Sequence, residues 1–98
     1  MNPRQTHTHE FTGNTMLAGR HLHSHRMAGI SSEVIPVPGG HVHELISYTS
    51  FDDNHFHTVK VRTSLPIPVA PNMHVHFVRG HTSFDDGHNH GFEFSTLV

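Results

Sequence analysis

The chain has no cysteine and no tryptophan. Disulfides and thiolate metal sites are therefore excluded, and the compartment cannot be read from redox chemistry. Charge is scarce, with only 14% charged residues and a formal balance of −2. The Lys and Arg residues are scattered and form no patch, which argues against nucleic acid as the main partner. Apolar residues make up 34%, and no apolar run approaches the length of a membrane span. The opening Met1-Asn2-Pro3-Arg4-Gln5-Thr6 carries no apolar segment of the secretory type. The expectation is a protein without a signal peptide or membrane partner, cytoplasmic by default and at the cell surface or outside it if filamentous. A chain of 98 residues makes one small domain. With so few apolar residues it needs further support, and once disulfides are excluded a metal or a partner subunit remains.

Histidine fills the gap, at 14 of the 98 positions. Protonating all of them would take the formal charge from −2 to +12, so acid sensitivity near the ordinary imidazole pKa of ~6.5 is expected. Twelve of the fourteen stand in six His-x-His pairs that begin at His7, His23, His41, His55, His74 and His88. Every second pair recurs after 32 to 34 residues. Three units of about 33 residues, approximately 6–40, 41–73 and 74–98, therefore make a single repeat domain.

A smaller rule runs inside each half-unit. Four residues after the first His stands an apolar residue: Phe11, Met27, Leu45, Val59, Val78 or Phe92. Eight residues after it stands Thr15, Ser31, Thr49, Thr63, Thr82 or Thr96. The period is two, which is that of a strand and not of a helix face. Six strands are predicted, over 7–16, 21–31, 41–50, 55–65, 74–83 and 88–97. Phe51-Asp52-Asp53-Asn54 and Phe84-Asp85-Asp86-Gly87 are tight turns that join strands within a unit as hairpins. The stretches Ile35 to Gly40 and Leu65 to Asn72 are Pro-rich connectors between units. The fold class is all-β: antiparallel hairpins forming a small sandwich or barrel, or a stacked solenoid-like unit.

Strand parity puts the imidazoles on the apolar face. His55 and His57 share it with Val59 and Val61, while Thr58, Lys60 and Arg62 point the other way. The third strand fits less well, because Val42, Ile46 and Tyr48 oppose its histidines, and this predicts a strand covered on both sides. Buried imidazoles need partners, and protonated ones side by side repel. A divalent cation answers both needs, because it binds neutral imidazole. Two His at i and i+2 converge on one ion, and a neighbouring pair completes a shell of three or four nitrogens. Such ligands suit a transition metal (Zn, Cu or Ni) rather than Ca or Mg. The candidate ligands are His7, His9, His23, His25, His41, His43, His55, His57, His74, His76, His88 and His90. The Asp pairs stand close before His55 and His88 and are placed to accept from those imidazoles. His21 shares parity with His23 and extends that site, whereas His81 lies on the opposite face. Strand order is open, but both a meander and a solenoid gather pairs 7, 41 and 74 at one end and pairs 23, 55 and 88 at the other.

The pattern HxHxΦxGxTSFDDGHxH, linked by IPVPGG, resembles the YmaF family of small bacterial histidine-rich proteins. It rests on His41, His43, Thr49, Ser50, Phe51, Asp52, Asp53, His55 and His57, and again on His74, His76, Thr82, Ser83, Phe84, Asp85, Asp86, Gly87, His88 and His90. The first copy departs from it, lacking the Asp-Asp turn and carrying a third His at position 21. The resemblance implies no activity.

Three functions follow from the residues. The first is a metal-binding protein whose metal is structural and linked to self-association as a homo-oligomer or filament. The second is a metal store or buffer without assembly. The third is a cupin-like metalloenzyme, suggested by Pro38-Gly39-Gly40-His41-Val42-His43-Glu44. It is disfavoured because the repeat is not broken at one place and no general acid or base stands on the His face.

Overall fold

A computed structural model describes residues 6–98, so Met1 to Gln5, part of the segment read above for a signal peptide, lie outside the described residues. Among the described residues there are ten strands and no helix, and hence no helix that could cross a membrane. All pair as antiparallel two-stranded hairpins. Three of these build the body: β1 (Glu10–Asn14) with β2 (Arg26–Ile30), β5 (Glu44–Tyr48) with β6 (Thr58–Arg62), and β9 (Phe77–His81) with β10 (Gly91–Ser95). The other two, β3 (Ile35–Val37) with β4 (Gly40–Val42) and β7 (Ile67–Ala70) with β8 (Met73–Val75), are the Pro-rich segments. These were expected to be plain connectors. Pro36 and Pro68 are tolerated in them because a two-stranded ribbon has free edges.

The body hairpins stand around one axis, with β2 beside β5, β6 beside β9, and β10 back beside β1. This is neither a two-sheet sandwich nor a closed barrel. Each seam is joined at its two ends by one backbone hydrogen bond, from Ser32 to Glu44 and Ser50 to Arg26 in the first, and from Ser64 to Phe77 and Ser83 to Thr58 in the second. Met16 to Gly91 and Leu97 to Glu10 close the third. The strands are shorter than predicted because the His-x-His pairs sit at their mouths, where the chain leaves the ladder.

The hairpin registers stack the interior in layers. One apolar layer holds Phe11 opposite Gly29, Leu45 opposite Val61, and Val78 opposite Phe94. The next holds Gly13 opposite Met27, Ser47 opposite Val59, and Gly80 opposite Phe92. Large rings face glycines because three walls this close leave no room for both. A Cβ at Gly29 would lie 2.9 Å from Phe11 Cζ, and one at Gly13 would lie 2.9 Å from Phe94 Cδ1. The apolar residues four after each first His form the buried core, as their parity predicts. Beyond the two apolar layers, at opposite ends, lie the histidines. Of the three residues opposing the histidines of the third predicted strand, Val42 is buried while Ile46 and Tyr48 are exposed, so only its first part is covered on both sides.

Candidate metal centres

The twelve paired histidines gather into two clusters, one at each end of the core. His7, His9, His41, His43, His74 and His76 form the first, here called the arm end because the two Pro-rich hairpins deliver His41 and His74 to it. His23, His25, His55, His57, His88 and His90 form the second, called the turn end. The partition is the alternation expected from the sequence. Each cluster holds six imidazoles rather than the expected three or four, because three walls, not two, each contribute a pair.

The rings are packed as an octahedron. At the turn end every ring stands edge-on to all the others except one, at centroid distances of 4.8 to 5.0 Å. The opposed pairs are His23 with His57, His25 with His88, and His55 with His90. The arm end has the same arrangement, with His7 opposite His76, His9 opposite His41, and His43 opposite His74. The Nε2 atoms point inward. His23 and His25 Nε2 lie 3.1 and 3.2 Å from His55 Nε2, and His88 Nε2 lies 3.1 Å from His90 Nε2. At the arm end His7, His9 and His41 Nε2 lie 3.2, 3.1 and 3.3 Å from His74 Nε2.

Backbone carbonyls decide which nitrogen faces the centre. The second His of each pair is buried, and its Nδ1–H donates across a seam to a carbonyl of the neighbouring hairpin, because a carbonyl can only accept. The acceptors at the arm end are Leu97 for His9, Ser32 for His43 and Ser64 for His76, all at 2.8 Å. At the turn end they are Ser50 for His25 and Ser83 for His57 at 2.9 Å, and Met16 for His90 at 2.8 Å. This fixes the tautomer that leaves the Nε2 lone pair free. The same six acceptor residues carry the seam amides, so a single residue both joins two hairpins and aims an imidazole. Each lies nine positions after a first His. A main-chain acceptor carries no signature of residue type, although four of the six are serine.

The Thr and Ser row makes hydrogen bonds at the strand ends. Thr15, Thr63, Thr49, Thr96 and Thr82 Oγ1 accept the backbone N–H of His25, His43, His57, His76 and His90 at 2.9 to 3.1 Å. Ser31 does the same for His9 at 3.0 Å. These bonds close the ladder at the point where each chain turns its imidazole inward.

The carboxylates act on a different pair from the expected one. Asp52 and Asp53 lie 3.6 Å from His25 and His23 Nδ1, on the preceding hairpin. Asp85 and Asp86 lie 3.4 and 3.2 Å from His57 and His55 Nδ1. The cause is the turn itself. Asp53-Asn54 and Asp86-Gly87 both have consecutive positive φ values, which swing the Asp side chains over the adjacent seam. The Ser50 and Ser83 hydroxyls donate to Asp52 and Asp85 and hold them there. Within its own pair each turn offers a carbonyl instead, Asp53 to His55 at 2.9 Å and Asp86 to His88 at 3.1 Å. In the first copy the His21 carbonyl takes that part for His23 at 2.6 Å, while its exposed side chain stays out of the group. His81 is exposed, as its parity predicts.

Burial holds the imidazoles neutral. His76 and His90 are pulled from 6.5 down to about 4, first by desolvation and further by the neighbouring imidazoles, against the pull of their carbonyl bonds. His7, His25, His41, His43, His57 and His74 are lowered for the same first reason. Three Nε2 atoms, of His43, His57 and His76, are buried with no hydrogen-bond partner. Neutral rings with inward lone pairs and orphaned nitrogens are what a metal ion requires of its ligands.

No curated protein and no solved structure gave a significant match to the chain. The family model YmaF, described as spore germination protein GerY/YamF, matches residues 4–98. That span is essentially the whole chain, and the protein therefore belongs to the YmaF family.

Proposed function

We propose that the protein is a metal-binding module in which one transition-metal ion at each end, held by six imidazole nitrogens, closes the fold. The observation that carries this reading is the octahedral ring packing around converging Nε2 atoms. In an octahedron the ligand separation is √2 times the metal–ligand distance, so 3.1 to 3.3 Å corresponds to about 2.2 to 2.3 Å. Zinc prefers four ligands at ~2.0–2.1 Å, and Cu(II) prefers a tetragonal shell. Ni(II), Co(II) and Fe(II) suit the arrangement better.

A complete protein shell leaves no position for substrate or water, and this favours a structural role over an enzyme. It also disfavours a store, because buried ions in rigid six-fold sites exchange slowly. Both clusters are completed by one chain, so this role needs no second copy. Self-association is a second reading, favoured by exposed Leu17, Phe51 and Phe84 at matching places in the three turns. The description of the family model names spore germination.

The test is elemental analysis together with native mass of the purified chain. Two ions per 11.0 kDa chain are expected. Chelation should lower the Tm by roughly 15–30 °C per site, since an ion at a thousandfold its Kd contributes about 4 kcal/mol. A metal-free protein whose Tm does not respond to Ni(II), Co(II) or Fe(II) would overturn the reading.

A further inference from the structure

We propose that the two ends are unequal sites, and that the turn-end site fills first because Asp52, Asp53, Asp85 and Asp86 offset its charge. This rests on the metal-binding reading above and adds an order to it. The carboxylates approach four of the six turn-end imidazoles at 3.2 to 3.6 Å, on the nitrogen that faces away from the ion. A carboxylate there raises ligand basicity and compensates a buried cation. The third turn-end seam has Met16 and Ala18 where the others have Ser50 and Asp52, so His88 and His90 have no such carboxylate.

The arm end is built without them. The positions that match Asp52 and Asp53 are Val34 and Ile35 after one strand, and Pro66 and Ile67 after the next. Glu33, which shares a cavity with His7, is engaged by the Thr6 N–H and hydroxyl at 2.7 and 3.1 Å and forms no ion pair with an imidazole among the described residues. A divalent ion among six neutral rings therefore keeps its full charge in a desolvated shell, at a cost. The arm end is also less even, with ring separations of 4.5 to 5.2 Å against 4.8 to 5.0 Å at the turn end. His41 stands 5.0 to 5.2 Å from its neighbouring rings, and its nitrogen falls outside the group that lies within 4.8 Å, whereas all six turn-end nitrogens fall inside theirs.

The turn end also has a polar entrance. Arg20, His21, Asp53 and Asp86 line a cavity that opens onto His23 and His88. Its two carboxylates outweigh the one Arg20 charge, a balance that favours entry of a hydrated cation.

The experiment is a titration of the metal-free full chain with Co(II), followed residue by residue by amide NMR, where the paramagnetic ion marks the end it occupies. Up to one equivalent, the shifts should fall on residues around Asp53, Asp86 and Asn89, and only beyond it on Thr8, Met73 and Leu97. A chain carrying Asp52→Asn, Asp53→Asn, Asp85→Asn and Asp86→Asn keeps the turn conformations, since Asn tolerates positive φ. Its turn-end affinity should fall about 10- to 100-fold, and the order of filling should disappear. Equal filling, arm-end filling first, or an Asn variant with unchanged order would overturn the proposal while leaving the metal-binding reading intact. Binding at neither end would overturn both.

Discussion

The Nδ1–H of His57 donates to the Ser83 carbonyl at 2.9 Å across the seam between two hairpins, and so turns His57 Nε2 into a buried centre where it has no partner. An unsatisfied buried polar atom costs ~1–3 kcal/mol. That cost is borne only while the centre is empty. His57→Leu should therefore be neutral or slightly stabilising in the metal-free chain and should remove the metal-dependent rise in Tm at the turn end. Parallel thermal melts with and without Ni(II) measure both effects. Equal destabilisation in the two states would mean that the ring itself, and not its ligation, is what the fold uses.

The Thr63 hydroxyl accepts the His43 N–H at 3.1 Å and donates to the Ser64 carbonyl at 2.9 Å. Thr63→Val keeps the shape and strands a buried backbone N–H. It should cost ~1–3 kcal/mol in urea unfolding of the metal-free chain. Thr58→Val, on the exposed face of β6 just before Thr63, should stay within about 0.5 kcal/mol. Similar losses at the two positions would reduce the Thr row to strand propensity.

Gly29 leaves room for the Phe11 ring, which a Cβ would meet at 2.9 Å. Gly29→Val should destabilise by ~1–3 kcal/mol through overpacking, equally with and without metal, since Gly29 sits in an apolar layer and not in a cluster. Denaturant midpoints in both states check this. A loss confined to the metal-loaded state would show that the layers and the clusters are not separable.

His76 and His90 take up protons near pH 4 when folded but near 6.5 when unfolded. Between those values the unfolded chain binds more protons, so stability rises with pH across that window and is fully present above it. Urea midpoints of the metal-free chain should fall steadily as pH drops from about 6.5 to 4. The metal-loaded chain should fall more steeply, because protonated imidazole does not bind metal. A stability that is flat or rises toward pH 4 would contradict the burial of neutral rings.

Much of this was legible because the repeat is written in side chains of period two. The core row, the His face, the hairpin turns and the grouping of alternate pairs all follow from parity, as with Val59 beside His57 and Lys60 facing out. Three things did not follow. Parity does not say how many walls share an interior, so six nitrogens per centre were read as three or four. Main-chain acceptors such as the Ser83 carbonyl carry no residue signature, although the recurring serine was available. The reach of Asp85 to His57 on another hairpin depends on the positive φ of Asp86, which turns a local neighbour into a contact across the seam.

The octahedral shell is the central claim, and X-ray absorption at the metal edge of the Ni(II)-loaded chain tests it most directly. The account predicts six nitrogen scatterers with the multiple scattering of imidazole, at a single distance of about 2.2 Å as set by the ligand separations. A shell of four nitrogens, or one completed by water oxygens, would contradict it.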